Sequence, residues 1–206
     1  AAYRNNNFSI AADYFERFLV SEGSSLEKSI RHDVIARLGD SYLSLRNYRR
    51  ANQHYDELIK SKAANQDYAL FQRGVIQGLQ GDNDAKLSTL ASVVKKFPDS
   101  KYADDVAFEI PYTHFTMGDD DIAIEGLQQM IQRYPRSSYV PRALITIGLV
   151  QYNKGDTEAA MASFKKVIEQ YATSNEAGQA LRSIENIYID QGDASGYIHY
   201  AVTANI

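Results

Sequence analysis

The chain contains no cysteine, which removes disulfides, thiolate metal sites and a cysteine nucleophile together and leaves the compartment open. No apolar run approaches the roughly 20 residues that a membrane-spanning helix needs, so membrane insertion by this segment is not expected. Positive charge is not in surplus either: 22 Lys and Arg stand against 26 Asp and Glu, for a net charge of −4. The two signs alternate locally, as where Lys95 and Lys96 precede Asp99, and no basic face builds up; nucleic-acid binding is not expected. Long polar tracts and Pro- or Gly-rich linkers are missing too, which argues for a chain folded outside its ends. The sequence opens Ala1-Ala2-Tyr3 with neither an initiator Met nor a signal peptide, and residues 1–6 read as the tail of a helix; the expectation is a piece of a longer or processed protein.

Motifs that carry chemistry are equally scarce. His32, His54, His114 and His199 share no ligand spacing and form no Ser/His/Asp arrangement, and no Gly-Lys-Ser/Thr phosphate loop follows any glycine. The acidic runs Asp82-Asn83-Asp84 and Asp119-Asp120-Asp121 lack the alternating ligands and distal Glu of a calcium loop. Both runs fall where a helix N-terminus favours negative charge, so neither is expected to hold a metal. An enzyme would have to rely on acids such as Asp105 and Glu109; the sequence favours a non-catalytic protein that needs no cofactor.

What the chain does have is a period. Gly81, Gly118, Gly155 and Gly192 stand 37 residues apart three times running, each followed by Asp. A unit of that size cannot bury a core alone, so copies must stack. Before the turns come Leu70-x3-Gly74 and Leu144-x3-Gly148; after them Lys86, Leu90 and Val93, then Ala123, Leu127 and Met130, then Ala160, Phe164 and Val167. Spacings of four and three place each set on one stripe of a helix. Phe97-Pro98, Tyr134-Pro135 and Tyr171 close the units. Each unit is therefore two antiparallel helices, A and B, joined at Gly-Asp, with Gly ending A in the left-handed conformation and Asp capping B. The frame extends backwards through Ile35, Leu38, Gly39 and Tyr42, a less typical turn at Arg46-Asn47, then Ala51, Tyr55 and Leu58; earlier still, Phe8, Ala11, Phe15 and Phe18 mark another B helix. B helices are expected after turns near Asn6, Asn47, Gly81, Gly118 and Gly155, with a closing helix from Asp193. Residues 1–206 read as one array of about five to six units.

The small residues of helix A (Gly74, Gly148), the Ala positions of helix B (Ala51, Ala123, Ala160) and the closing Pro98 and Pro135 resemble the tetratricopeptide repeat over essentially the whole chain. The resemblance implies an all-α solenoid, a right-handed superhelix of antiparallel helix pairs. The chain departs from it in a unit longer than the usual 34 or so residues, in Lys86 where Ala is expected, and in Pro111 and Glu185 at the helix A small-residue position. The closing phrases Phe97-Pro98-Asp99-Ser100, Tyr134-Pro135-Arg136-Ser137 and Tyr171-Ala172-Thr173-Ser174 look like those of bacterial cell-envelope repeat proteins of the Tol-Pal-associated and outer-membrane-assembly kinds. That likeness implies an adaptor in the periplasm or at the outer membrane; without it, a cytoplasmic setting is the alternative.

The surface expected to bind is the concave one, lined by helix A residues that turn away from helix B: Tyr68, Phe71 and Val75, then Phe108, Tyr112 and Phe115, then Ile145, Leu149 and Tyr152. Such a strip offers rigid anchors to an extended peptide or a helix of a partner protein. The alternative is that several of the nine pack between units as core. The protein is thus expected to be an interaction scaffold, or else a structural spacer in a larger repeat protein whose binding is done elsewhere. Pro111, inside a helix A, predicts a kink or a late helix start, whether to shape the groove or only to adjust the superhelix. Pro141 falls in a first helical turn, where Pro is tolerated. Ser24 and Glu27 form a capping-box pattern that would start a long helix running towards Leu45. The closing helix, with Tyr197, Ile198, Tyr200, Ala201 and Val202, is apolar enough to receive another unit or a second copy, so self-association through open ends is a further expectation.

Overall fold

The computed structural model describes every residue except Ala1, Ala2, Arg4, Asn6, Ser24, Ala204, Asn205 and Ile206. The described residues form eleven α-helices and no strand: α1 (Phe8–Glu22), α2 (Lys28–Ser44), α3 (Tyr48–Lys60), α4 (Gln66–Leu79), α5 (Asn83–Lys96), α6 (Ala103–Met117), α7 (Asp120–Arg133), α8 (Val140–Asn153), α9 (Thr157–Gln170), α10 (Asn175–Asp190) and α11 (Ala194–Thr203). The even-numbered helices are the A helices and the odd-numbered ones the B helices. The expected all-α pattern is what the chain adopts.

The turns work as their composition dictates. Gly81, Gly118, Gly155 and Gly192 take φ of +80°, +85°, +83° and +68°. That reversal lets the next amide reach back: Asp82 donates to the Gln77 carbonyl, Asp119 to His114, Asp156 to Gln151 and Asp193 to Tyr188, all at 2.9 Å. The carboxylates of Asp82, Asp156 and Asp193 then accept from the amides of Ala85, Ala159 and Gly196, capping the B helices. Asp119 is the exception, because its carboxylate is 2.9 Å from Nδ1 of His114 and caps nothing. In the less typical turn Arg46 itself adopts φ +56°, and Asn47 both donates to the Tyr42 carbonyl and caps α3 through the Arg50 amide.

The helices gather into two compact units, Ala1–Val106 and Ala107–Ile206. The core of the first includes Ile35, Leu38, Tyr55, Leu58 and Ile76; that of the second includes Leu127, Met130, Phe164, Val167, Ile184 and Ile187. Within each, glycines let paired helices approach. A Cβ at Gly39 would lie 2.7 Å from the Tyr55 ring, at Gly74 2.9 Å from Leu90, and at Gly148 2.5 Å from the Phe164 ring. Truncating a buried ring such as Phe164 costs about 3–5 kcal/mol, so this packing carries much of each unit's stability.

Where the sequence departs from the repeat, the structure compensates. Lys86 is buried because Gly78 makes room for its methylene stem, 2.8 Å from where a Cβ would stand. Pro111, in the small-residue slot of α6, meets Gly126 of α7, where a Cβ would come within 2.7 Å of the proline Cβ. The expected late helix start is not seen: α6 begins at Ala103 and runs through the proline, which packs into the space that Gly126 leaves. Pro141 does sit in the first turn of α8. At α2 the helix starts later than the capping-box spacing suggests, since Glu27 is itself the residue before it and makes no capping bond. Ser24 lies outside the described residues, as do four of the six residues read as a helix tail. Asn7, adjacent to the expected turn near Asn6, caps α1 through the Ile10 amide.

Candidate partner-binding faces

Two of the three closing phrases position an aromatic ring. In the first unit Ser100 Oγ accepts from the Tyr102 amide at 3.1 Å, and in the second Ser137 Oγ accepts from the Tyr139 amide at 3.2 Å. The tyrosine held this way stacks on a helix A phenylalanine: Tyr102 on Phe71 (5.8 Å, 7° between planes) and Tyr139 on Phe108 (4.8 Å, 16°). Both members recur at 37 residues, so the stack is a repeated element of the fold.

In the first unit, Tyr68 and Phe71 are brought together around Tyr102, with Tyr68 5.2 Å from it. Phe71 is buried and Tyr68 half-buried. Val75 is not part of this group; it borders a separate depression with Leu43, Tyr48 and Leu79. Tyr68 also reaches a feature that sequence reasoning missed. Its hydroxyl donates to Oδ1 of Asp40 at 2.5 Å, that of Tyr55 donates to the same oxygen at 2.8 Å, and that of Tyr3 donates to Oδ2 at 3.0 Å. Burial raises the pKa of all three tyrosines, and the Asp40 charge and hydrogen bonds add to it; Tyr3 is pushed up to about 12. A cavity of about 270 Å³ opens here, bordered by Asp40, Tyr3, Tyr68 and Tyr102. The frame held a signal for it. Gly39 fills the role of Gly74 and Gly148, so Asp40 stands at the position of Val75 and Leu149.

In the second unit, Phe108 is 0% exposed and Ile145 is 5% exposed; both belong to the core. Above Phe108 the half-buried rings of Tyr112 and Phe115 continue the group, at 5.2 Å from Phe108 to Tyr112 and 5.8 Å from Tyr112 to Phe115. Arg142 lays its guanidinium over both Phe108 (5.2 Å) and Tyr112 (4.6 Å). Leu149, 36% exposed, is the most open of the nine strip residues. Tyr152 is half-buried and its hydroxyl donates to Asp190. Phe71, Phe108 and Ile145 thus support the faces from beneath, while Tyr68, Val75, Tyr112, Phe115, Leu149 and Tyr152 present surface. Tyr102, Tyr139 and Arg142 were not singled out from sequence, although Tyr102 and Tyr139 share the period.

The acidic runs are engaged in the fold: Asp82 caps α5, Asp119 pairs with His114, and Asp121 accepts from Lys154. Among the described residues no group of three or more His, Asp or Glu side chains is arranged to hold a metal ion, and no helix is long and apolar enough to cross a membrane.

A helical-hairpin repeat with a glycine-bounded 37-residue period and aromatic helix A faces defines a class, the helical-repeat proteins. Residues 68–100, 112–137 and 142–174, rather less than half of the chain, match the tetratricopeptide repeat family model. Among curated proteins none matches the sequence significantly. Solved structures are similar in fold. The C-terminal part of a tetratricopeptide repeat-containing protein from Cytophaga hutchinsonii is 19% identical over 98% of this chain and 76% of its own, with a TM-score of 0.67. MamA of Desulfovibrio magneticus is 18% identical over 84% of this chain and 91% of its own, at 0.66. YrrB, described as a tetratricopeptide repeat protein with an unusual peptide-binding site, is 15% identical over 89% and 87%, at 0.61.

Proposed function

We propose that the protein is a non-catalytic interaction scaffold that holds a peptide or helix of a partner protein along its helix A faces. The observation that carries this reading is the repeated stack, Phe71 under Tyr102 and Phe108 under Tyr139, which fixes half-exposed aromatic surface at the repeat period on a rigid helical base. Tyr112, Phe115 and Leu149 are the anchors of the second unit, with Arg142 a donor for carbonyl or carboxylate groups of the bound segment. Peptide binding by a similar fold, as described for YrrB, is consistent with it. Residues 1–206 act as one repeat array in this reading. The bacterial envelope is the setting proposed for it, on the closing phrases such as Phe97-Pro98-Asp99-Ser100 alone. Association of copies through α11, where Ile198 is 63% and Val202 75% exposed, belongs to the same proposal.

The test is selection from a random displayed-peptide library on the full chain, followed by calorimetric titration of enriched peptides. Leu149→Ala and Tyr112→Ala should each weaken binding about tenfold or more while the helical circular dichroism is kept. Phe108→Ala is unsuitable as a probe, because deleting a fully buried ring destabilises the fold itself. A library with no enriched peptide would replace the scaffold with the spacer, and affinities untouched by both changes would move the site off the second unit's helix A face.

A further inference from the structure

Asp40 is an anion held by hydrogen bonds, with the Arg37 guanidinium acting on it through space rather than in contact. Its oxygens accept from Tyr55, Tyr68 and Tyr3, three of the roughly four lone-pair positions a carboxylate has. The ion pairs formed among the described residues leave it out: the nearest guanidinium in sequence, Arg37, bonds Asp33 at 2.8 Å instead. Neutral hydroxyls stabilise a partly buried charge less completely than a cation in contact does. The raised pKa of all three tyrosines, Asp40 contributing in each case, agrees with a carboxylate field that is still felt around the cavity.

The rings around the same cavity add a second attraction for positive charge. Tyr3, Tyr68 and Tyr102 border it, and the chain's own cations have settled on its outer rings: the Arg37 guanidinium lies 5.7 Å from the Tyr3 centroid and the Lys101 ammonium 5.0 Å from that of Tyr102. Both of those side chains line the cavity too, with Asp33, but they are exposed and form no ion pair with Asp40. At about 270 Å³ the cavity suits one side chain and not a folded element.

We propose that this cavity receives the positively charged side chain, Lys or Arg, of a protein segment bound on the first unit's helix A face. The proposal rests on the scaffold reading and names the partner's chemistry: an extended segment with a basic residue, whose charge meets Asp40 and whose stem or guanidinium plane lies against Tyr68 and Tyr102. An anionic residue gains no bond from Asp40, and a neutral isostere loses the charge-assisted one.

The test follows the tyrosine ring signals of the full chain by carbon–proton correlation NMR. The probes are a blocked Gly-Gly-Arg-Gly-Gly peptide, its Lys and Glu counterparts, a citrulline version that keeps the shape without the charge, and free arginine. Saturable shifts of Tyr68 and Tyr102 are expected with the Arg or Lys peptide, about tenfold weaker with citrulline, and not with Glu. Asp40→Asn should weaken the Arg or Lys peptide by a similar factor. Should that variant fail to fold, Tyr102→Leu, which leaves the Asp40 hydrogen bonds in place, decides: undiminished affinity overturns the proposal. Equal binding of citrulline overturns it as well, and tighter binding of free arginine than of the peptide overturns the assignment to a protein segment. Displayed peptides that bind the second unit and ignore Asp40→Asn would keep the scaffold while their basic relatives fail here; Arg-peptide shifts without any enriched displayed peptide would keep this pocket and remove the scaffold.

Discussion

Pro111 rests on Gly126 as the Phe164 ring rests on Gly148, with large and small partners exchanged between the helices. Gly126→Ala should therefore destabilise the second unit by about 1–3 kcal/mol through overpacking, offset by up to about 1 kcal/mol of helix propensity. In a Pro111→Ala background the new methyl group has room, and the same change should be neutral or stabilising. Urea unfolding of the four proteins of the cycle reads the coupling, and additivity would mean that the contact does not limit the packing.

Arg46 occupies the left-handed conformation that glycine holds in the regular turns. Arg46→Gly should stabilise the first unit by about 1 kcal/mol, because the strain of a side chain at φ +56° disappears. Gly155→Ala should do the reverse, by about 1–2 kcal/mol, even though nothing lies within 4 Å of the added carbon. Paired thermal melts compare the two; a stabilising Gly155→Ala would refute the account.

The period and the turn chemistry were legible because they are local: a residue at positive φ, a cap one step later and an apolar stripe lie within a dozen positions of each other. The Asp40 cluster was not, since Tyr3, Tyr55 and Tyr68 reach it from separate segments and only the folded hairpins bring the hydroxyls to one carboxylate. Phe108 misled for a related reason. Its place on helix A marked it as a surface residue, but Tyr139, from the segment before α8, covers it. Pro111 predicted a disturbance of its own helix, whose late start is not seen, and gave no sign of its partner Gly126 in α7.

His54 is half-buried and stacked on the Tyr42 ring at 5.7 Å with 7° between planes. Burial is the main cause of its lowered pKa; Glu57 and Glu16 oppose the shift and Arg50 adds to it. The unfolded chain therefore takes up the proton first. The stability tied to neutral His54 is complete above the ordinary value of about 6.5 and is lost as pH falls below it towards the folded value. His32, also lowered chiefly by burial, acts in the same direction. The urea midpoint should drop between about pH 7.5 and 5.5, and His54→Gln should flatten that drop; an unchanged slope would assign it to other groups.

At alkaline pH the sign reverses. Tyr3, Tyr55 and Tyr68 have raised pKa values, first from burial and then from Asp40, so their contribution is complete below the ordinary value of about 10 and is lost as pH climbs towards their folded values. Asp40→Asn should move part of the tyrosinate absorbance to lower pH in the folded protein. A titration curve identical to that of the parent would mean that burial alone holds these hydroxyls protonated.

Repeat chains run a particular risk while folding, since a helix can dock on the wrong copy of its partner. The exchanged pair limits that risk for α6. Set against α9, Pro111 would meet the Phe164 ring; set against α5, it would meet Leu90. Only α7 offers the recess at Gly126. A substitution that looks like an imperfection in the repeat thus acts as an address, matching α6 to α7 and to neither of the neighbouring B helices.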